Sequence, residues 1–239
     1  MLRCKPFCNS YQKIIRHQTS VIPNCKTTES KDAFGNVLLT GYVEDSHDVF
    51  MFESAGIVET SRDRTPELLN PLYCYPSTLT EPDDAIKDAV AAVGAVRNDY
   101  REWVEAMSEY LKEHFTYESG TTDVTTSAAM ALAQGKGVCQ DYAHIAISMC
   151  RYAGIAARYA NGFMTGEGAT HAWIEYYDGI TWQSFDPTNN RIVDDTYIKI
   201  AHGRDFNDCS INRGRFNGMA EQTIKIKLMV EQLKRLPKE

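Results

Sequence analysis

The spacing of apolar positions divides the chain into three textures. Over the first 75 residues it is that of extended chain. Gln12 to Ile22 mixes β-branched and apolar residues, Gly35-Asn36 stands as a turn between extended runs, and Gly41 to Val58 carries Val49, Phe50, Phe52, Ile57 and Val58. This predicts a β-rich N-terminal region over 1–75. Residues 59–81 string together Thr65-Pro66, Asn70-Pro71, Tyr75-Pro76 and Ser77, the composition of a linker. Helical spacing follows. Thr80 is placed to cap, Pro82 suits a first turn, and Asp83 and Asp84 suit the positive helix end. Ile86, Ala89, Val90, Val93 and Val96 then recur on one face, weakened at Gly94, and Tyr100, Trp103, Val104, Met107, Tyr110 and Leu111 mark a second helix.

A short helix is expected over Asp123–Gln134, broken by Gly135 and Gly137, and a longer one from Cys139 to Ala153, stopped by Gly154. Strands are expected at Ala156–Met164, His171–Tyr177 and Thr181–Phe185, the last two joined by a turn at Asp178-Gly179, and along the alternating stretch Thr223–Val230. Strands, then helices, then strands predict an α+β protein, with a second domain over 76–239.

Composition narrows the function. With 239 residues and 43% apolar content the chain can bury a core, while a net charge of −7 and a pI near 5.4 argue against nucleic acid as a partner. No apolar run approaches the roughly 18 residues needed to cross a bilayer, and Met1–Cys8 lacks a signal peptide's apolar core, so a soluble cytoplasmic protein is expected. The seven cysteines are odd in number, form no disulfide framework, and are expected to be reduced. Cys4 and Cys8 have no complementary pair at zinc spacing and no acidic cluster has calcium-loop spacing, so neither metal nor cofactor is expected. Oligomeric state is left open.

The chemistry concentrates at Cys139, in Gly135-Lys136-Gly137-Val138-Cys139-Gln140-Asp141. A glycine-flanked turn delivers this thiol to a helix start, where unpaired N–H groups favour a thiolate. His171, in Thr170-His171-Ala172-Trp173, and Asp186, in Phe185-Asp186-Pro187-Thr188, supply an imidazole and a carboxylate. Counting about an Asp178-Gly179 turn, His171 lies 7 residues before Asp178 and Asp186 7 after Gly179, which predicts direct neighbours across a hairpin. A thiol, a general base and a group that fixes the base's tautomer are the parts of an acyl-transfer site.

Gly137–Ala143, Cys150–Tyr159, His171–Glu175 and Phe185–Asn189 together resemble the transglutaminase-like core. Ile200–Asp208 with Arg213-Gly214, and Asp32–Asn36, are similar to its bacterial branch. The resemblance implies a papain-like α+β core, with helices packed on an antiparallel sheet behind a small β domain. It assigns Cys139 as nucleophile, His171 as general base and Asp186 as orienting carboxylate, acting on a peptide or protein amide. Hydrolysis is expected over transamidation or deamidation. A non-catalytic peptide-binding module is the rival reading, and glycan-amide cleavage, which typically adds zinc, is a third. Candidates for the oxyanion site are the backbone N–H of Cys139 and the side chains of Tyr117 or Gln134. Gln140, Asp141 and Trp173 are expected to line or buttress the site, and His144 to be structural. Cleft specificity is expected in loops such as Thr165–Ala169 and 59–81. In that branch the β domain usually begins with a further strand before Arg3, so an edge strand is expected to be missing or supplied by a partner chain.

Overall fold

The computed structural model describes residues 1–62, 64–97, 99–219 and 221–233; the end of the expected 76–239 domain, at 234–239, lies outside them. Four N-terminal strands come first: β1 (Gln12–Ile22), β2 (Thr27–Lys31), β3 (Val37–Gly41) and β4 (Met51–Thr60). Then follow a 3-10 turn (Pro71–Cys74), α1 (Asp84–Val93), α2 (Tyr100–His114), β5 (Thr116–Tyr117), α3 (Ala128–Gln134), β6 (Lys136–Gly137) and α4 (Cys139–Tyr152). The remainder is β7 (Ala157–Met164), β8 (Gly166–Gly168), β9 (His171–Tyr177), β10 (Trp182–Asp186), β11 (Arg191–Ile192), β12 (Tyr197–Gly203), α5 (Phe206–Cys209) and β13 (Leu228–Val230). The protein is α+β. Its centre is an antiparallel sheet in the order β11-β10-β9-β7-β12, with helices on one face.

Helix α4 is buried on every side from Asp141 to Arg151, so its apolar residues need no stripe. It packs against Ala172, Ile174 and Tyr176 of β9, and against Ile86, Val104, Met107 and Leu111 of α1 and α2. The other sheet face is covered by N-terminal residues. There Glu175 accepts from the buried Lys199 Nζ at 2.9 Å and Arg158 Nε at 2.7 Å, and from the half-buried Tyr11 Oη at 3.0 Å. Burial would raise the Glu175 carboxyl, but Lys199 and Arg158 outweigh it and hold the group well below its usual range. With both faces covered, β7 is buried from Ala157 to Gly162.

The outer edge of β12 is closed by side chains rather than by a strand. Gln12 Oε1 accepts from Lys199 N at 2.7 Å, and Gln12 Nε2 donates to Lys199 O at 2.7 Å. Asn36 repeats the arrangement at His202, accepting from its N–H at 2.9 Å and donating to its carbonyl at 2.8 Å. Each amide stands in for one residue of a neighbouring strand and satisfies a backbone N–H of β12, while the Lys199 carbonyl also accepts from Phe7 N at 2.8 Å.

Several expected boundaries move. Asp83, not Thr80, caps α1, its carboxylate accepting from Ile86 N at 3.0 Å. Thr80 is buried and accepts from Arg151 Nη1 at 2.7 Å; the Arg151 guanidinium also donates to the carbonyls of Tyr73 and Ala157 and so ties the segment before α1 to the core. The helix expected over Asp123–Gln134 starts at Ala128, because Asp123 bonds Thr125 and leaves the cap to Ser127. Of the extended stretch Gly41 to Val58, only Gly41, which ends β3, and Met51 onward, in β4, are strand, and the strand expected over Thr223–Val230 shortens to Leu228–Val230, paired with β8. Among the described residues β1 and β4 pair only with each other, and no helix is long and apolar enough to cross a membrane.

Gln12→Leu keeps the side chain's bulk and strips the amide, leaving Lys199 N–H without its partner. Denaturant unfolding should show a loss of about 2–3 kcal/mol; unchanged stability would mean that this closure of the edge does not matter.

Candidate active site

Three elements converge on the N-terminal end of α4. Gly135 ends α3 with φ of 71°, a left-handed position, and β6 then runs parallel to β5 with Tyr117 opposite Gly137. The turn into α4 is held by Asp141, whose Oδ2 accepts from Val138 N and from Thr122 Oγ1, each at 2.7 Å. This is half of a capping box: a residue in the first helical turn reaches back to the N–H before it. The carboxylate lies so close to the turn that a Cβ on Gly137 would sit 2.4 Å from Asp141 Oδ2. Glycine at 137 is therefore a steric requirement. Cys139, the first helical residue, is partly exposed, and its backbone N–H belongs to the helix end whose donors have no intrahelical partner.

His171 opens β9, and its Nε2 lies 2.7 Å from Asp186 Oδ2. The Cys139 thiol is close enough to the ring to favour its protonated form. Since Nε2 faces the carboxylate, Nδ1 is the nitrogen left for sulfur. Burial pulls the imidazole down, but Asp186 and the Cys139 thiol outweigh it and raise it to about 9. Asp186 is fully buried and shifts the opposite way: burial raises it, and His171, Asn189 and Tyr197 together lower it.

The carboxylate is held from several sides. Oδ2 accepts from His171, from Asn189 Nδ2 at 2.7 Å and from Tyr197 Oη at 2.7 Å; Oδ1 accepts from the backbone N–H groups of Thr188 at 3.0 Å and Asn189 at 3.2 Å. A short-range cue existed for the loop contacts, because an Asp followed by two or three residues of turn composition often accepts from their N–H groups. Tyr197 had no such cue, since it comes from the far side of the sheet.

The hairpin between β9 and β10 differs from the expected one. Its turn is the wider loop Asp178–Thr181, in which Asp178 Oδ1 accepts from the N–H groups of Ile180 and Thr181 at 2.8 Å. Trp182 pairs with Tyr177 and Phe185 with Ile174, so Asp186 continues the ladder opposite Trp173, not His171. The register is offset by two positions. An even offset leaves every side chain on its own face, so His171 still meets Asp186, on a diagonal.

The other candidate residues are dispersed around this centre. Tyr117 is exposed on β5 beside Gly137. The Gln134 amide donates to Thr121 O at 2.9 Å and that of Gln140 to Asp123 O at 3.4 Å, so both hold the loop before α3. Trp173 is buried and packs edge-on to Tyr197, with ring centroids 5.5 Å apart. His144 is buried, accepts from Phe206 N at 3.2 Å, and is pulled down to about 3 by burial, helped by Arg151, so it is a neutral packing residue.

A profile of the transglutaminase-like superfamily matches residues 87–187, and one of the bacterial transglutaminase-like N-terminal region matches residues 1–59. The chain belongs to the transglutaminase-like superfamily. An uncharacterized protein of Mycobacterium leprae is 28% identical, over 97% of this chain and 91% of its own length. An uncharacterized protein of Mycobacterium tuberculosis is 27% identical, over 89% and 80%. The crystal structure of a protein from Cytophaga hutchinsonii, described as a "putative cysteine protease", superposes with a TM-score of 0.76 at 26% identity, covering 88% of this chain and 77% of that one. This transglutaminase-like chain thus shares its fold and its family with proteins of thiol-dependent acyl transfer.

Gly137→Ala forces a collision with the Asp141 carboxylate, whereas Gly135→Ala meets nothing within 4 Å and suffers only its left-handed backbone. Thermal unfolding should place Gly135→Ala about 1–2 kcal/mol below the parent and Gly137→Ala clearly lower. Equal losses would contradict the steric account of this turn.

Proposed function

We propose that this transglutaminase-like protein hydrolyses an amide bond of a peptide or protein through an acyl-thioester on Cys139. The observation that carries the reading is the setting of one imidazole: His171 Nε2 bonds a buried carboxylate, and the Cys139 thiol is close enough to favour the ring's charge. The Cys139 thiol passes its proton to His171 and its sulfur attacks the carbonyl carbon. As the C–N bond breaks, His171 gives its proton to the leaving amine. Water then attacks the thioester while His171 takes a proton from it, and C–S cleavage releases the acid and regenerates the thiol. Asp186 fixes the ring and steadies its charged form. The backbone N–H of Cys139 is the first oxyanion donor in this scheme, because it stands unpaired beside the sulfur. Tyr117 stays a second candidate through its place beside Gly137. The amides of Gln134 and Gln140 are committed to loop carbonyls, which favours a shaping role for both. The partial exposure of Cys139 gives water a route to the thioester, which favours hydrolysis over transamidation.

Cys139→Ala should abolish turnover of peptide amides, and His171→Ala should abolish the excess rate at which iodoacetamide alkylates Cys139 at pH 6. Equal alkylation rates in parent and His171→Ala would count against the assignment. Because the His171 imidazolium persists up to about pH 9, kcat/KM should hold across neutral pH and fall as pH rises through about 9. A fall centred near 6.5 would show that Asp186 and Cys139 do not support the ring's charge.

A further inference from the structure

Tyr197 stands apart from the residues used so far. It begins β12, with two strands between it and β10, yet its hydroxyl donates to Asp186 Oδ2 at 2.7 Å, the same oxygen that faces His171. The tyrosine is buried, and its ring lies 6.1 Å from the His171 ring and 5.5 Å from that of Trp173. Packing against Trp173 alone would fill this space with a phenylalanine. The hydroxyl instead donates to the carboxylate.

We propose that Tyr197 is a positioning residue that takes up part of the Asp186 charge, and so sets how tightly His171 holds the proton it must release. The inference rests on the amide-cleaving role proposed for Cys139, His171 and Asp186, and goes beyond it by adding a residue outside the three. A donor to an ionised carboxylate makes that carboxylate less basic. Asp186 has three side-chain donors converging on Oδ2, one of which is the imidazole itself. If Tyr197 is removed, more of the charge on that oxygen falls on His171, the imidazolium is held more tightly, and protonation of the leaving amine slows.

The charged surroundings leave this route clear. Arg191 lies 5.6 Å from the Tyr197 ring on the other side and is paired with Asp194, and Cys139 reaches the imidazole from α4. Along β12, Lys199 is engaged with Glu175. The same strand is fixed from outside by Gln12 at Lys199, so the N-terminal region determines where the Tyr197 hydroxyl stands.

The experiment compares parent and Tyr197→Phe by NMR titration of the His171 ring and by the pH profile of peptide-amide turnover. The proposal expects the His171 titration in Tyr197→Phe to move upward by about half to one pH unit, with kcat at neutral pH lowered several-fold and KM unchanged. Asn189→Ala, which removes the other side-chain donor, should move the titration the same way. An unchanged or lowered His171 titration in Tyr197→Phe would overturn the proposal and leave the tyrosine as packing. The NMR readout needs no turnover: a parent that cleaves no amide would count against the proposed function, while the titration would still decide the role of Tyr197.

Discussion

The pleat of β9 is the constraint on which the rest of the structure depends. Successive residues of a strand point to opposite faces, and β9 uses both. Ala172, Ile174 and Tyr176 face α4 and form the centre of the apolar core, while Trp173 and Glu175 face the side covered by the N-terminal region. His171, at the strand's start, shares the parity of Trp173, and its ring lies 6.5 Å from the indole, near parallel. One strand thus anchors the helix that carries Cys139 and presents the imidazole that meets the thiol. A single-residue slip would place Glu175 against α4 and aim His171 away from Asp186.

This parity explains why the site was largely legible in the chain while its register was not. Alternation marked the strands, and the residues around Cys139, His171 and Asp186 stood in ordered contexts. Turn length was misjudged, because Asp178 caps a longer loop through local hydrogen bonds that also suit a tight turn. The error of two positions was harmless to the pairing, since face is conserved under an even shift. Helix starts were misjudged for a similar reason: Thr80, Asp83, Asp123 and Ser127 are all competent caps, and tertiary contacts decided among them. Thr80 went to Arg151, and Asp123 to its own turn.

What the chain hid was long-range. Tyr197 meets Asp186 although two strands lie between β10 and β12 in the sheet, a contact that no local pattern encodes. Gln12 reads as an ordinary polar residue of a β region and Asn36 as a turn residue, yet they close the edge of β12 with hydrogen bonds that only a backbone would be expected to make. The N-terminal region is therefore bound into the central sheet. Its amides meet β12 at Lys199 and His202, and Tyr11 reaches the buried Glu175. Expectations drawn region by region could not anticipate that the carboxylate, the tyrosine and an N-terminal glutamine are linked along one strand.

The central claim is that Cys139 accepts an acyl group. The most direct measurement is acid-quenched mass spectrometry of the protein after brief exposure to an activated acyl donor such as p-nitrophenyl acetate, with the adduct mapped by peptide. The account predicts one acyl group on the peptide that contains Cys139, formed faster than on the exposed Cys8 or Cys74 and lost on incubation in water. Acylation spread evenly over the exposed thiols, with no preference for Cys139, would contradict it.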